Sequence, residues 1–265
     1  MMVNKFGESR QGKRGPAGPA GPTGPTGPKG EGMSAAFFRK QLAEWFYANL
    51  SFSCYFSTPT SGLVYKEKDP IAIKNQVGKN HALCLGKVGP VINIPTCGYG
   101  LEFKNSVYEV RDLDWCTGDP SKAIFIFAFK MNEWPNDFQY LFHTKNDDRG
   151  IYLKGSKMFI QSSKTTTLSI KYKVRQWNMC YIEFNNFEET PSYYEINDQV
   201  GTFVTKTEAA SDEILFIGGK KDSYYFKGTL YRFNFYIQSP YDDSENLSDT
   251  VRTSFRRQYY HLPFE

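Results

Sequence analysis

The chain has no run of about 18 apolar residues, so no membrane-spanning helix is expected. Its first residues, MMVNKFGESRQGKRG, contain no apolar core and do not read as a secretory signal. Without an export signal, the N-x-S sequons at Asn49 and Asn246 read as fortuitous. Histidine is scarce: His81, His143 and His261 are scattered, and none has a nucleophile at paired spacing. The five cysteines (Cys54, Cys84, Cys97, Cys116 and Cys180) are an odd set without zinc-type spacing. They read as buried thiols, with one bridge among Cys84, Cys97 and Cys116 left open. Neither sign of charge dominates. The net charge of +4 is dispersed apart from Lys13-Arg14 and Arg256-Arg257, which is too weak to argue for a nucleic-acid partner. No phosphate-cradling glycine loop occurs, and Gly218-Gly219 fits a β turn.

Glycine itself is plentiful and ordered. Gly12, Gly15, Gly18, Gly21, Gly24, Gly27 and Gly30 recur at strict three-residue spacing, with proline in the slot after five consecutive glycines. This is a collagen-like repeat. Three polyproline-II chains wind together with only glycine fitting at the crowded axis, so the repeat predicts a homotrimer. At ~3 Å per residue the rod over 12–32 spans roughly 50–60 Å. Its third slots hold Arg14, Ala17, Ala20, Thr23, Thr26 and Lys29, never proline. Hydroxyproline stabilisation is therefore excluded, and so short a rod needs an adjacent trimeriser.

The flanks of the rod suggest two devices. Residues 1–11 are polar with one aromatic, Phe6, and read either as an anchor peptide for a capsid or vertex protein or as a disordered tail. In residues 33–50, Ser34 can cap a helix. Phe38, Leu42, Trp45 and Phe46 give that helix one apolar face, widened by Phe37 and Leu50. It is either a trimer neck or a helix packed on its own head.

Aromatics make up 17% of the chain, and that richness favours strands in the remaining 51–265. Leu63–Tyr65, Ala82–Leu85 and Val91–Ile94 are short strand candidates among irregular residues. From about residue 100 the pattern sharpens. Ala123–Phe129 is apolar on both faces. Phe138–Thr144, Gly150–Lys154, Lys157–Gln161, Thr167–Ile170, Met179–Phe184, Ser192–Ile196, Ile214–Ile217 and Gly228–Tyr236 follow at the spacing of an antiparallel sandwich.

The order AIFIFAFKMN, RGIYLKGSKMFIQ, QWNMCYIEFNN, SYYEINDQVGTFVTKT and LFIGGKKDSYYFKGTLYRFNFYIQSP resembles the laminin-G-like, concanavalin-A-like jelly roll over roughly 100–250. Residues 51–99 do not match. They either extend the same sandwich or form a small unit of their own. The expected fold is therefore all-β: an antiparallel β-sandwich head behind a collagen-like triple helix and a short neck helix. The resemblance implies binding of glycans or proteins, with calcium at one rim in some relatives and glycan cleavage in a few.

Cleavage would require paired carboxylates as Glu-x-Asp-x-Glu. The nearest match, Glu195-Ile196-Asn197-Asp198, lacks that pattern, so no enzyme is expected. Asp137, Asp147 and Asp148 could supply oxygen ligands to calcium, or could simply be turn formers. Otherwise no cofactor is expected. The candidate ligand-binding residues are Trp134 beside Pro135, and Tyr224 and Tyr225 in KKDSYYFKG, because sugars stack on ring faces. Taken singly, each reads first as core or rim packing, since aromatics dominate cores.

A collagen rod without an export signal fits a virion surface best. The leading expectation is a trimeric spike that binds a host glycan or protein through its head. The alternatives are a cellular extracellular lectin or matrix protein whose signal was removed, and a glycan-cleaving head. Gly21→Val should lower the melting temperature of the rod, followed by the polyproline-type circular dichroism of the full chain. Unchanged melting and an unchanged trimer would remove the triple-helix reading.

Overall fold

The computed structural model describes residues 50–77, 80–95, 97–111, 122–145, 149–161, 167–185, 191–204, 214–221, 223–238, 251–253 and 255–256. The glycine repeat, the neck residues Phe38, Leu42, Trp45 and Phe46, and Phe6, Cys116, Asp147, Asp148 and His261 lie outside them. Leu50, expected to widen the neck helix, instead opens the first strand.

The strands run β1 (Leu50–Cys54), β2 (Leu63–Lys66), β3 (Asp69–Ile73), β4 (Ala82–Cys84), β5 (Val91–Ile94), β6 (Gly98–Phe103), β7 (Tyr108–Arg111), β8 (Lys122–Lys130) and β9 (Gln139–Thr144). They continue as β10 (Gly150–Lys154), β11 (Lys157–Gln161), β12 (Thr167–Lys171), β13 (Trp177–Asn185), β14 (Ser192–Ile196), β15 (Gln199–Phe203), β16 (Ile214–Ile217) and β17 (Gly228–Gln238). Two antiparallel sheets form a sandwich, as the periodicity predicts. The eight-stranded sheet has the order β15-β14-β13-β8-β17-β6-β5, with β1 also paired to β17. The nine-stranded sheet has the order β12-β11-β10-β9-β16-β7-β4-β3-β2. Residues 51–99 extend both sheets: β1 and β5 join the first, and β2 to β4 join the second.

β8 explains its own two-faced apolarity. Ala123, Phe125, Phe127 and Phe129 point between the sheets. Ile124, Ile126 and Ala128 point to the outer side, where Trp177, Tyr181, Tyr236, Val251 and Phe255 cover them. Between the sheets the core is built from phenylalanine. Phe142 of β9 stacks on Phe233 of β17 at 4.4 Å between ring centroids and sits 4.8 Å from Phe127 and 5.7 Å from Phe125. Phe125 also meets Phe235 at 4.6 Å and Phe184 at 5.6 Å. Burying one such ring is worth about 1.5–3 kcal/mol.

β9 carries a bulge that shapes the opposite face. Ile151 pairs with Phe142, yet Tyr152 pairs with Tyr140, leaving Leu141 as the extra residue. Leu141 and Phe142 both join the core. Strict alternation would put Tyr140 and Phe142 on one face. The bulge reverses this and turns Tyr140 outward. Gly218, just after β16, has φ +84°, and a Cβ there would lie 2.3 Å from the Phe103 ring. Only glycine fits both demands.

Cys54, Cys84 and Cys180 carry free thiols, so Cys84 and Cys97 are not bridged to each other. Burial pushes the Cys54 and Cys180 thiols well up from the usual range. Two predictions follow from this packing. Phe142→Ala should destabilise the head by about 3–5 kcal/mol in denaturant titration, because the cavity lies between the sheets. In the folded protein, Cys54 and Cys180 should resist alkylation at neutral pH and react only after denaturation, since the thiolate is the reactive form.

Candidate functional site

Outside the nine-stranded sheet, the alternation of β10 and β11 produces an aromatic shelf. Leu153, Met158 and Ile160 point to the core, so Tyr152 and Phe159 point away from it. These two are cross-strand partners, and their rings stack at 4.9 Å with an 11° interplanar angle. Tyr140, turned out by the bulge, lies 5.0 Å from Tyr152. Phe138, just before β9, meets Tyr152 at 5.5 Å. All four residues are half-buried.

The loop between β16 and β17 closes one side of the shelf. Gly218 O accepts the Phe226 amide, and Lys220 and Ser223 exchange backbone hydrogen bonds of 2.9 Å. The Tyr140 amide donates to Tyr224 O at 3.0 Å, which straps the loop to β9. Tyr224 is 43% exposed and meets Phe138 at 6.0 Å and Tyr140 at 6.1 Å. Its φ of +54° is left-handed, a conformation that costs a bulky residue roughly 1–3 kcal/mol and persists where the surroundings fix it. Tyr225 follows as a half-buried residue in a backbone bridge to Tyr140.

The loop between β8 and β9 closes another side. Trp134 is 43% exposed and packs edge-on against the buried Tyr172 at 5.1 Å. Tyr172 in turn donates its hydroxyl to Gly155 O in the β10–β11 turn, and the Gly155 amide donates to Pro135 O. Burial raises the Tyr172 hydroxyl well above its ordinary range, so it remains a donor. Lys154 lies with its Nζ 4.1 Å from the Phe138 centroid, within cation–π range.

Trp134 and Tyr224, chosen from sequence, thus flank one surface. Tyr225 contributes mainly backbone to it. Sequence reasoning missed Phe138, Tyr140, Tyr152 and Phe159. Tyr152 and Phe159 were within reach, because each alternates with core residues across an expected hairpin. Asp137 serves locally: its carboxylate accepts the Phe138 amide at 2.7 Å. Among the described residues no group of three or more His, Cys, Asp or Glu could hold a metal ion. Glu195, first of the sequence's nearest carboxylate match, forms a two-pronged ion pair with Arg256 at 3.0 and 2.9 Å. His81 accepts the Asn75 amide, and His143 is buried against Tyr140.

Two interior cavities, one beside Phe52 and Phe233 and one beside Phe125 and Phe142, have about 10 Å³ each. That is room for about one water. The shelf, by contrast, offers aromatic area with Lys154 at its edge.

No family model matches the chain, and no curated protein matches it by sequence. Solved structures do match its fold. One is a botulinum neurotoxin type C structure, from work on cell entry dependent on interaction with two ganglioside molecules. It has TM-score 0.54 and 11% identity over 82% of this chain and 53% of that one. The binding domain of botulinum neurotoxin DC in complex with rat synaptotagmin II matches with TM-score 0.53 and 12% identity, over 81% and 53%. The same binding domain in complex with SialylT matches with TM-score 0.52 and 12% identity, over 81% and 52%. The chain spans about half the length of these structures. At such identities the likeness is one of fold: a β-rich, jelly-roll-like sandwich.

Proposed function

We propose that this chain is an attachment protein, whose head binds a glycan or protein on a host cell surface and whose collagen-like repeat carries three heads on one rod. The observation that carries the reading is the shelf of Phe138, Tyr140, Tyr152 and Phe159, flanked by exposed Trp134 and Tyr224. A cluster of half-buried rings outside the core and a strained, exposed tyrosine at its rim suit recognition. The botulinum neurotoxin structures of this fold concern ganglioside interaction, synaptotagmin II and SialylT. From them we extend to this chain only the general role of attachment.

The rod gives the head its context. Three weak sites on one spacer gain avidity without new contacts. A repeat so short, with no proline in its third slots, suits a spacer better than a fibre. We place the trimer on a virion surface, with residues 1–11 and Phe6 as the anchor to a capsid or vertex protein. The reading is of binding without turnover, and the Arg256 pairing of Glu195 favours it. It requires no cofactor.

The test uses the full-length chain on host cells and on a glycan array. Trp134→Ala combined with Tyr224→Ala should abolish binding, at a stability loss of about 1.5–4.5 kcal/mol for the three ring contacts removed, with folding checked by circular dichroism. Full binding by this variant would rule out the shelf. Release of cleaved glycan would contradict binding without turnover.

A further inference from the structure

Beside the aromatic row runs a row of lysines. Tyr152 and Lys154 share one face of β10, Phe159 and Lys157 share one face of β11, and Ser169 and Lys171 share one face of β12. Register aligns them across the sheet: Tyr152 pairs with Phe159 and Phe159 with Ser169, while Lys154 pairs with Lys157 and Lys157 with Lys171. Adjacent strands lie ~4.8 Å apart, so the lysine row is a ladder of three cations roughly 10 Å long. All three lysines are exposed. None of the ion pairs among the described residues involves them.

Like charges directly opposite each other destabilise a sheet. A folding requirement would interleave a carboxylate, and none is present in this row. An edge lysine can protect a strand from pairing with another chain, which accounts for Lys171 on the edge strand β12. That reason does not reach Lys154, two strands further in, whose Nζ lies over the Phe138 ring, nor Lys157 between them. Lys220 adds a further cation, with its Nζ 6.0 Å from the Tyr140 centroid.

We propose that the lysine ladder and the aromatic shelf together bind a linear sulfated polysaccharide, with sulfates on the Lys154–Lys157–Lys171 ladder and sugar rings lying against the Tyr152–Phe159 pair. Three cations in line match a ligand whose charges repeat along its length, rather than one with a single terminal acid. The inference rests on the attachment reading and names the ligand class of that same site.

The experiment measures binding of the full-length chain to heparin, to desulfated heparin, to a sialylated oligosaccharide and to neutral dextran. The variants are Lys157→Gln with Lys171→Gln, and a control that removes equal charge elsewhere, Lys66→Gln with Lys68→Gln in the exposed β2–β3 turn. Heparin binding should fall at least about tenfold in the ladder variant and by less than about twofold in the control. Desulfated heparin should bind at least about tenfold more weakly than heparin. Equal losses in both variants, equal binding of desulfated heparin, preference for the sialylated oligosaccharide, or no heparin binding would each overturn the proposal. If the ladder variant keeps full heparin binding while the chain still attaches to host cells through Trp134 and Tyr224, this inference fails and the attachment reading stands. If heparin binds as expected but cells are not bound, the attachment reading fails instead.

Discussion

The bulge in β9 is the constraint on which both the core and the candidate site depend. Phe142 has to face inward, because it stacks on Phe233 and joins the phenylalanine cluster between the sheets. In an unbroken strand Tyr140 would then face inward too, and the core would hold one ring too many. The extra residue, Leu141, takes the inward place and sends Tyr140 out beside Tyr152. The packing of the interior therefore sets the aromatic face of the exterior. The same outward turn brings Tyr140 under the β16–β17 loop, where its amide holds Tyr224 O.

The surroundings of the shelf are stiff for related reasons. The β8–β9 loop is tied to the β10–β11 turn through Pro135 and Gly155, and Tyr172 fastens the same turn from below. Tyr224 keeps a left-handed backbone because flanking turns and the strap to β9 leave it little choice. A surface arranged before its ligand arrives loses less freedom on binding. That suits the attachment role proposed for the head.

Much of the sandwich was legible in the sequence. β8, β9, β10, β11, β13, β14, β16 and β17 follow from apolar periodicity and turn residues within a residue or two of their bounds. β3 and β6 were not legible, and each hides for a reason. Pro70 sits inside β3, and proline demotes a run that otherwise reads as strand. Gly98 and Gly100 weaken the look of β6, although Gly100 is needed where Ile94 and Thr229 come close. The site was half legible. Exposed Trp134 and Tyr224 stood out in polar loops, but the outward turn of Tyr140 depends on a bulge that no alternation reveals. The register that lines up Lys154, Lys157 and Lys171 likewise exists only once the strands are paired.

The central claim is that the outer face of the nine-stranded sheet, at its β9–β12 end, is the binding surface. Hydrogen exchange on the full-length chain, with and without solubilised host-cell surface glycoconjugates, tests it most directly. Exchange should slow over residues 132–140, 150–161 and 223–226, with β14, β15 and the β2–β4 end unchanged. Slowed exchange confined to the eight-stranded sheet, or to β2–β4, would contradict it.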